Sequence, residues 1–307
     1  MRVFRGLPAA ADAPIALTIG NFDGVHRGHQ AMLTRLVEAA EDLDLAPAVM
    51  TFEPHPREFF APASAPPRLT GLRSKLEAFA AHRVARTYVA RFDAQLAGLS
   101  PGAFIDEVLV NRLGVRWVLV GHDFRFGKAR GGDISTLRQA AQTFSVEAMR
   151  NVAIGDERVS SSGVRAALKE GDLERATALL GRPYRISGRV AHGAKLGRSL
   201  GFPTANIMLT RTPPLSGIFA VRVQGLGGAP RLGAASLGVR PTVEERSVPL
   251  LEVFILDFDE AIYGRRIHVD FMHKLRDETR FPDLETLRRQ IGQDIDHARA
   301  FFAGALQ

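Results

Sequence analysis

The chain has 307 residues, 46% of them hydrophobic and 24% charged, enough for two domains of roughly 150 residues each, and no uninterrupted apolar stretch approaches the ~18 residues of a membrane span. It has no cysteine, which excludes disulfides, thiolate metal sites and thiol nucleophiles. Forty Lys and Arg against 33 Asp and Glu give a net charge of +7. The basic residues are scattered without a compact run or interleaved aromatics, so neither nucleic acid nor membrane is an expected partner.

Pro8, Asp12 and Pro14 interrupt the first apolar residues, so no removable signal is expected and a cytoplasmic location follows. From residue 16 apolar strands alternate with helical stretches: a strand from Ala16 to Ile19, a helix from Gly28, a strand from Val49 to Phe52, a helix over about 70–81 and a strand from Thr87 to Ala90. Ser100-Pro101 then reads as a helix cap and first helical residue, followed by a strand from Val115 to Val120, a helix from Asp133 and a strand from Val146 to Met149. The pattern predicts a parallel, doubly wound α/β sheet whose ligand site lies beyond the carboxyl ends of its strands. Every polar cluster of interest follows a predicted strand end: 21–29, 53–56 and 121–133.

Two short helices, Val164 to Lys169 and Leu173 to Leu180 behind Asp172, precede a change of character at Gly181-Arg182-Pro183. Short strands then follow from Arg185 to Val190, Ile218 to Val223, Leu232 to Gly238, Leu250 to Leu256 and Ile267 to Phe271, with one helix from about Asp283 to Phe302. This predicts a small antiparallel barrel with a terminal helix, and a domain division of 1–180 and 181–307. Gly225 to Pro230 reads as a hairpin loop.

Gly20-Asn21-Phe22-Asp23-Gly24-Val25-His26-Arg27-Gly28-His29 joins the first strand to an amphipathic helix. A helix N-terminus presents unpaired N–H groups and partial positive charge, which suits a triphosphate. Gly28 lets backbone approach the ligand, and His26 and His29 are candidate donors to charge building on phosphate. Without the strand and turn around them, two histidines three apart are as well read as a solvated cap or a metal pair. The context resembles the signature of adenylyl-transferring enzymes, and within them the bacterial bifunctional riboflavin kinase/FAD synthetase family.

Three further segments carry that resemblance in the first domain. Thr51-Phe52-Glu53-Pro54-His55-Pro56 is similar to the family's T-F-(D/E)-P-H-P, and Gly121-His122-Asp123-Phe124-Arg125-Phe126-Gly127 to the loop before its Gly-Asp pair. The resemblance implies a flavin site made from Phe52, Pro54, His55, Pro56, Phe60, Asp123 and Phe126, with Phe60 and Phe126 flanking the ring. Arg158-Val159-Ser160-Ser161-Ser162-Gly163-Val164-Arg165 resembles R-I-S-S-T-x-I-R, implying that Arg158 and Ser161 act in catalysis while Ser162 and Arg165 bind ATP with Gly20, Asn21, Phe22, Gly24 and Gly28. The bland alternative for the serines is helix capping alone.

In the second domain the stretch from Gly188 to Asn206 resembles the riboflavin kinase signature ending in P-T-A-N. The resemblance implies ATP binding by Gly188, His192, Gly193, Lys195, Gly197 and Gly201, and Mg²⁺ held by the oxygens of Thr204 and Asn206, hard ligands of the kind that ion prefers. Glu252 lies in an apolar strand, where a carboxylate turned inward must be satisfied or used; the family's L-E-V-H-L-L-D-F segment makes it the base for the riboflavin hydroxyl. Phe254 stands where the family usually has histidine. Arg276 is either a flavin clamp or a surface arginine.

The resemblance covers about Leu17 to Phe302 and implies two ATP-dependent reactions in sequence, riboflavin to FMN and FMN to FAD. The alternative is the same fold with one activity retained. A binding-only flavin carrier would have broken phosphate loops, and these are intact. A tRNA-related protein would carry a lysine-signature loop, and none is present. Oligomeric state is not readable.

Overall fold

The computed structural model describes residues 1–140, 142–193, 200–240 and 248–304. Contacts divide the chain into two compact units: Met1–Pro66 with Thr70–Ser160, and Pro67–Leu69 with Ser161–Gln307.

The first unit is built on a six-stranded sheet whose named pairings are all parallel. Its strands are β1 (Arg2–Arg5), β2 (Ile15–Ile19), β3 (Ala46–Glu53), β4 (Arg86–Arg91), β5 (Val115–Gly121) and β6 (Ser145–Met149), in the order β1-β4-β3-β2-β5-β6. Chain order reverses between β2 and β5, which makes the space beyond their carboxyl ends the ligand-binding crevice of such a sheet. The loops leaving these two strands are 20–26 and 122–127, both singled out in the sequence.

Strand β2 shows why both faces are covered. Ile15, Leu17 and Ile19 enter one core with Phe104, Ile105, Val108 and Leu109, while Ala16 enters another with Leu33, Leu36, Ala40 and Phe79. Successive side chains point to opposite faces, so a wholly apolar strand needs helices on both. The helices are α1 (Arg27–Asp42), α2 (Pro56–Phe60), α3 (Leu72–Ala81), α4 (Ala94–Gly98), α5 (Pro101–Ala103) running into a π-helical stretch Phe104–Arg112, and α6 (Ile134–Ala140). As expected, Ser100 caps α5, its Oγ accepting from Ala103 N at 3.2 Å, and Pro101 is its first residue. A hairpin, β7 (Ala153–Ile154) and β8 (Glu157–Arg158), ends the unit.

The second unit begins with α7 (Ser161–Glu170) and α8 (Leu173–Leu180), capped by Asp172, whose carboxylate accepts from Arg175 N at 2.9 Å. Their contacts group these two helices with the barrel. The strands β9 (Tyr184–Arg189), β10 (Ala205–Met208), β11 (Gly217–Gln224), β12 (Arg231–Arg240), β13 (Val248–Ile255) and β14 (Arg266–Arg276) are ordered β10-β13-β12-β11-β14-β9 and pair antiparallel. An Ala191–Asn206 bridge, with Ala191 N donating to Asn206 O at 2.8 Å, brings the two ends together. The sheet is thus a nearly closed barrel, which removes its exposed edges. Helix α9 (Leu284–Gly304) packs Ile295, Ala298 and Phe302 against Ala220, Ala234 and Leu256.

Candidate functional sites

At the crevice of the first unit, His26 is the N-cap of α1 and its Nδ1 accepts from His29 N at 3.3 Å. That nitrogen therefore carries no proton, and the neutral ring's proton lies on Nε2. The two imidazoles stack with centroids 3.6 Å apart. Burial, then the neighbouring His26 and Lys75, hold the His29 pKa well below its usual value. His29 Nδ1 and Asn21 Oδ1 are buried without a hydrogen-bond partner. Orphaned polar atoms at a helix N-terminus, which normally cost free energy, are the trace a polar ligand leaves.

The turn that forms this site is tied to a neighbouring helix. Asp23 Oδ1 accepts from Thr70 N at 3.0 Å and from its hydroxyl at 3.3 Å, and Gly24 N donates to Thr70 Oγ1 at 3.0 Å. Gly24 has φ +88°, the left-handed conformation such a turn needs. Thr70 leads into α3, which carries Lys75, only 3% exposed, with Nζ 3.4 Å from Thr51 Oγ1. Thr51 in turn donates to Asn21 O at 3.3 Å. Lys75 and Asp23 were given no role from sequence, although a lysine one turn before the core residue Phe79 was a readable signal.

Other sequence candidates separate into ligand-facing and structural positions. Phe22 is buried between His29 and Phe79, with centroids at 5.0 and 5.2 Å, leaving only its backbone to face a nucleotide. His55 caps α2, accepting from Arg57 N at 3.1 Å while its own N–H donates to Glu58 at 3.2 Å, and Pro56 is the first residue of that helix. Pro54 follows a cis peptide bond. Phe60 is 67% exposed in a cluster with Phe59 and Phe92, which also touches Phe52. Phe126 is 7% exposed and packs with Phe104 and Phe124, so the aromatic pair expected around a flavin is unequal in access. Arg158 donates to Asp123 at 2.5 Å, and this contact, foremost, lowers the Asp123 pKa. Ser161, Ser162 and Arg165 lie in the first turns of α7 in the second unit, where Arg165 Nε donates to Pro67 O at 2.7 Å.

In the barrel, Asn206 on β10 sits directly opposite Glu252 on β13, which sits opposite Ser236 on β12. Glu252, Ser236 and Thr204 line a cavity of about 360 Å³ whose apolar walls include Phe202, Phe254 and Phe281. Thr204 also lines a second cavity of about 210 Å³ with Val190, Pro203, Ile262 and Tyr263, and Tyr263 stacks on His192 at 3.9 Å. Thr204 therefore stands between two chambers. Asn206 Nδ2 donates to Thr204 O at 3.1 Å, leaving Oδ1 buried without a partner. A Cβ on Gly193 would come within 2.6 Å of the Asn206 amide, so only glycine permits that approach. Gly188 serves packing: a Cβ there would lie 2.2 Å from Ile207. Gly201 has φ +89°, whereas Lys195 and Gly197 lie outside the described residues. Arg276 is bound at 2.8 and 2.7 Å by both oxygens of Asp294.

A family model described as FAD synthetase matches residues 9–163, and one described as riboflavin kinase matches residues 180–302. The chain is 44% identical to a bifunctional riboflavin kinase/FMN adenylyltransferase of Haemophilus influenzae, covering 98% of this chain and 99% of that protein. The chain belongs to the bifunctional riboflavin kinase/FMN adenylyltransferase family. A Pseudomonas fluorescens relative of the same name is 48% identical over 93% of this chain and 92% of its own. Among solved structures, one titled a macrolide-efflux protein from Streptococcus pneumoniae superposes with a TM-score of 0.82 at 25% identity, covering 97% of this chain and 99% of that one. No helix among the described residues is long and apolar enough to cross a membrane. Both modules of the family are present, and their reactions take ATP, riboflavin and FMN as substrates and end in FAD.

Proposed function

We propose that the two sites act in series through the following residues. The observation that carries the reading is the row Asn206–Glu252–Ser236 across three barrel strands, set beside the chamber-sharing Thr204. Riboflavin occupies the larger cavity and the ATP triphosphate approaches from the smaller, where His192 and Tyr263 offer aromatic faces. Glu252 orients the flavin 5′-hydroxyl and takes its proton as oxygen attacks the γ-phosphorus and ADP leaves. The buried, partnerless Asn206 Oδ1 and the Thr204 hydroxyl fit a hard cation, and they would hold Mg²⁺. Bound there, it would neutralise charge developing on the transferred group.

In the first unit the FMN phosphate attacks the α-phosphorus of ATP and pyrophosphate leaves. The α1 N-terminus with neutral His26 and His29 donates to the triphosphate, Asn21 and the Gly20, Gly24 and Gly28 backbone shape its cradle, and Phe60 offers the accessible face for the flavin ring. Arg158 adds a positive charge for the leaving pyrophosphate. Arg158 must exchange Asp123 for phosphate as it does so. We place the enzyme in the cytoplasm, where ATP is available, with small molecules as its partners.

Chromatography of the products from riboflavin, ATP and Mg²⁺ tests the scheme. From riboflavin, FMN should appear first and FAD after it; His29→Ala should leave FMN formation intact and stop FAD, whereas Asn206→Ala should form neither from riboflavin and still convert supplied FMN to FAD. Loss of both steps from either change in a folded protein would overturn the assignment of two sites.

A further inference from the structure

The larger barrel cavity has an unusual charge inventory for an enzyme that makes a phosphate ester inside it. Its described lining residues include three carboxyl groups, Glu252, Glu278 and Asp294, and one guanidinium, Arg276. That guanidinium is bound on two nitrogens by Asp294, so the three carboxyl groups outnumber it. Glu278 is placed by a close approach to backbone: its Oε1 stands 1.8 Å from where a Cβ on Gly238 would be, so the carboxyl group occupies the side-chain space of that strand position. Gly238 follows Ser236 by two residues on β12, and Ser236 is the register partner of Glu252. Positions two apart share a face, roughly 7 Å from one another. Glu252 stands one strand over from Ser236, so its carboxyl group and that of Glu278 are diagonal neighbours on the same wall, roughly 7 to 8 Å apart. Consistent with this, burial above all raises the Glu278 pKa; Arg276 pulls it down, and Glu252 adds a smaller push upward.

We propose that Glu278 is a specificity residue of the kinase site, making the cavity accept the neutral polyol chain of riboflavin and disfavour the phosphorylated product. The phosphate of FMN forms at Glu252, and a second carboxyl group diagonal to it, roughly 7 to 8 Å away, lies within about one screening length of physiological salt. Riboflavin has no charge for it to oppose. The discrimination thus falls on the product, and it favours discharge of FMN over its retention. This inference rests on the reading that the larger cavity holds the flavin.

The test uses the full chain with His29→Ala to silence adenylylation, and follows ADP release to give the riboflavin KM and the inhibition constant of FMN. Adding Glu278→Gln should lower the ratio of FMN inhibition constant to riboflavin KM by about three- to tenfold. Glu278→Asp, which keeps the charge, should leave the ratio within about twofold of its starting value. An unmoved ratio in the glutamine variant, or an equal fall in both variants, would overturn the proposal. In the chain retaining Glu278, raising KCl from roughly 0.05 to 0.5 M should tighten FMN relative to riboflavin by screening the repulsion; a flat or opposite response overturns it even if Glu278→Gln does not fold. Failure of the parent chain to phosphorylate riboflavin would count against the flavin-site reading itself.

Discussion

Glu252 and His29 show two ways in which a residue's surroundings decide its chemistry. Glu252 stands in a strand between the buried Leu251 and Val253, and its side chain lines the cavity with Ser236 and Thr204. Glu252→Gln preserves shape and one acceptor while removing the base, so kinase turnover should fall by roughly 10² to 10⁴, or about 3 to 5 kcal/mol of transition-state stabilisation. Adenylylation of supplied FMN should be unaltered. Turnover within a few-fold of the parent would make Glu252 a strand residue only. His29 is neutral by burial, and its folded-state pKa lies well below the unfolded one. Below about pH 6.5 the unfolded chain therefore takes up a proton that the native ring refuses, and stability should decline as pH falls through that range. Nitrogen NMR of labelled imidazole at pH 6 should show His29 unprotonated in the native protein; a protonated ring would contradict the desolvated geometry. The histidines, the glycines and Asn206 were legible in the sequence because the strand-turn-helix order and P-T-A-N around them are specific. Lys75 and Glu278 were not, since each lies in a segment whose pattern spells only an amphipathic helix or a strand end.

At the scale of elements, apolar periodicity marked most strands and helices to within a few residues. It missed β1, whose four residues begin and end with arginine and whose pairing to β4 at the sheet edge is a tertiary fact. It also missed β10, because Ala205–Met208 follows a stretch of glycine and proline that reads as loop. That strand is held to the preceding segment by the Ala191 bridge and by the closeness of Gly193 to Asn206. Gly193→Ala would force a methyl group against the Asn206 amide at 2.6 Å, a contact that something must relieve. Riboflavin phosphorylation should fall at least tenfold while adenylylation persists and the melting temperature changes little. Unaltered kinase activity would show that the 191–193 segment can retreat without consequence for Asn206.

For the whole molecule, composition and the change of periodicity at Gly181 announced two modules, but their division by contacts follows packing. Leu173, Ala176, Leu179 and Leu180 of α8 are buried, and α8 meets β9 and β14. A helix whose own sequence resembles its predecessors gives no sign of which neighbour will cover it. A fragment starting at Ser161 should therefore melt higher than one starting at Leu179, by about 2 to 5 kcal/mol of stability for the large side chains deprived of their cover. Both should be assayed for riboflavin phosphorylation. Equal melting would return the division to Gly181.

The row formed by Asn206, Glu252 and Ser236 joins the consecutive strands β12 and β13 to β10, from which β11 separates them in the chain, and it exists only in one alignment of the three. A slip of a single residue would turn Asn206 to the opposite face and leave Glu252 beside a different partner. Closure of the barrel is thus also the moment at which the proposed phosphoryl-transfer centre is assembled. During refolding, kinase activity should lag behind the recovery of β-structure and rise only with the final pairing of β10, so that the enzyme's own turnover serves as a clock for the last step of its assembly.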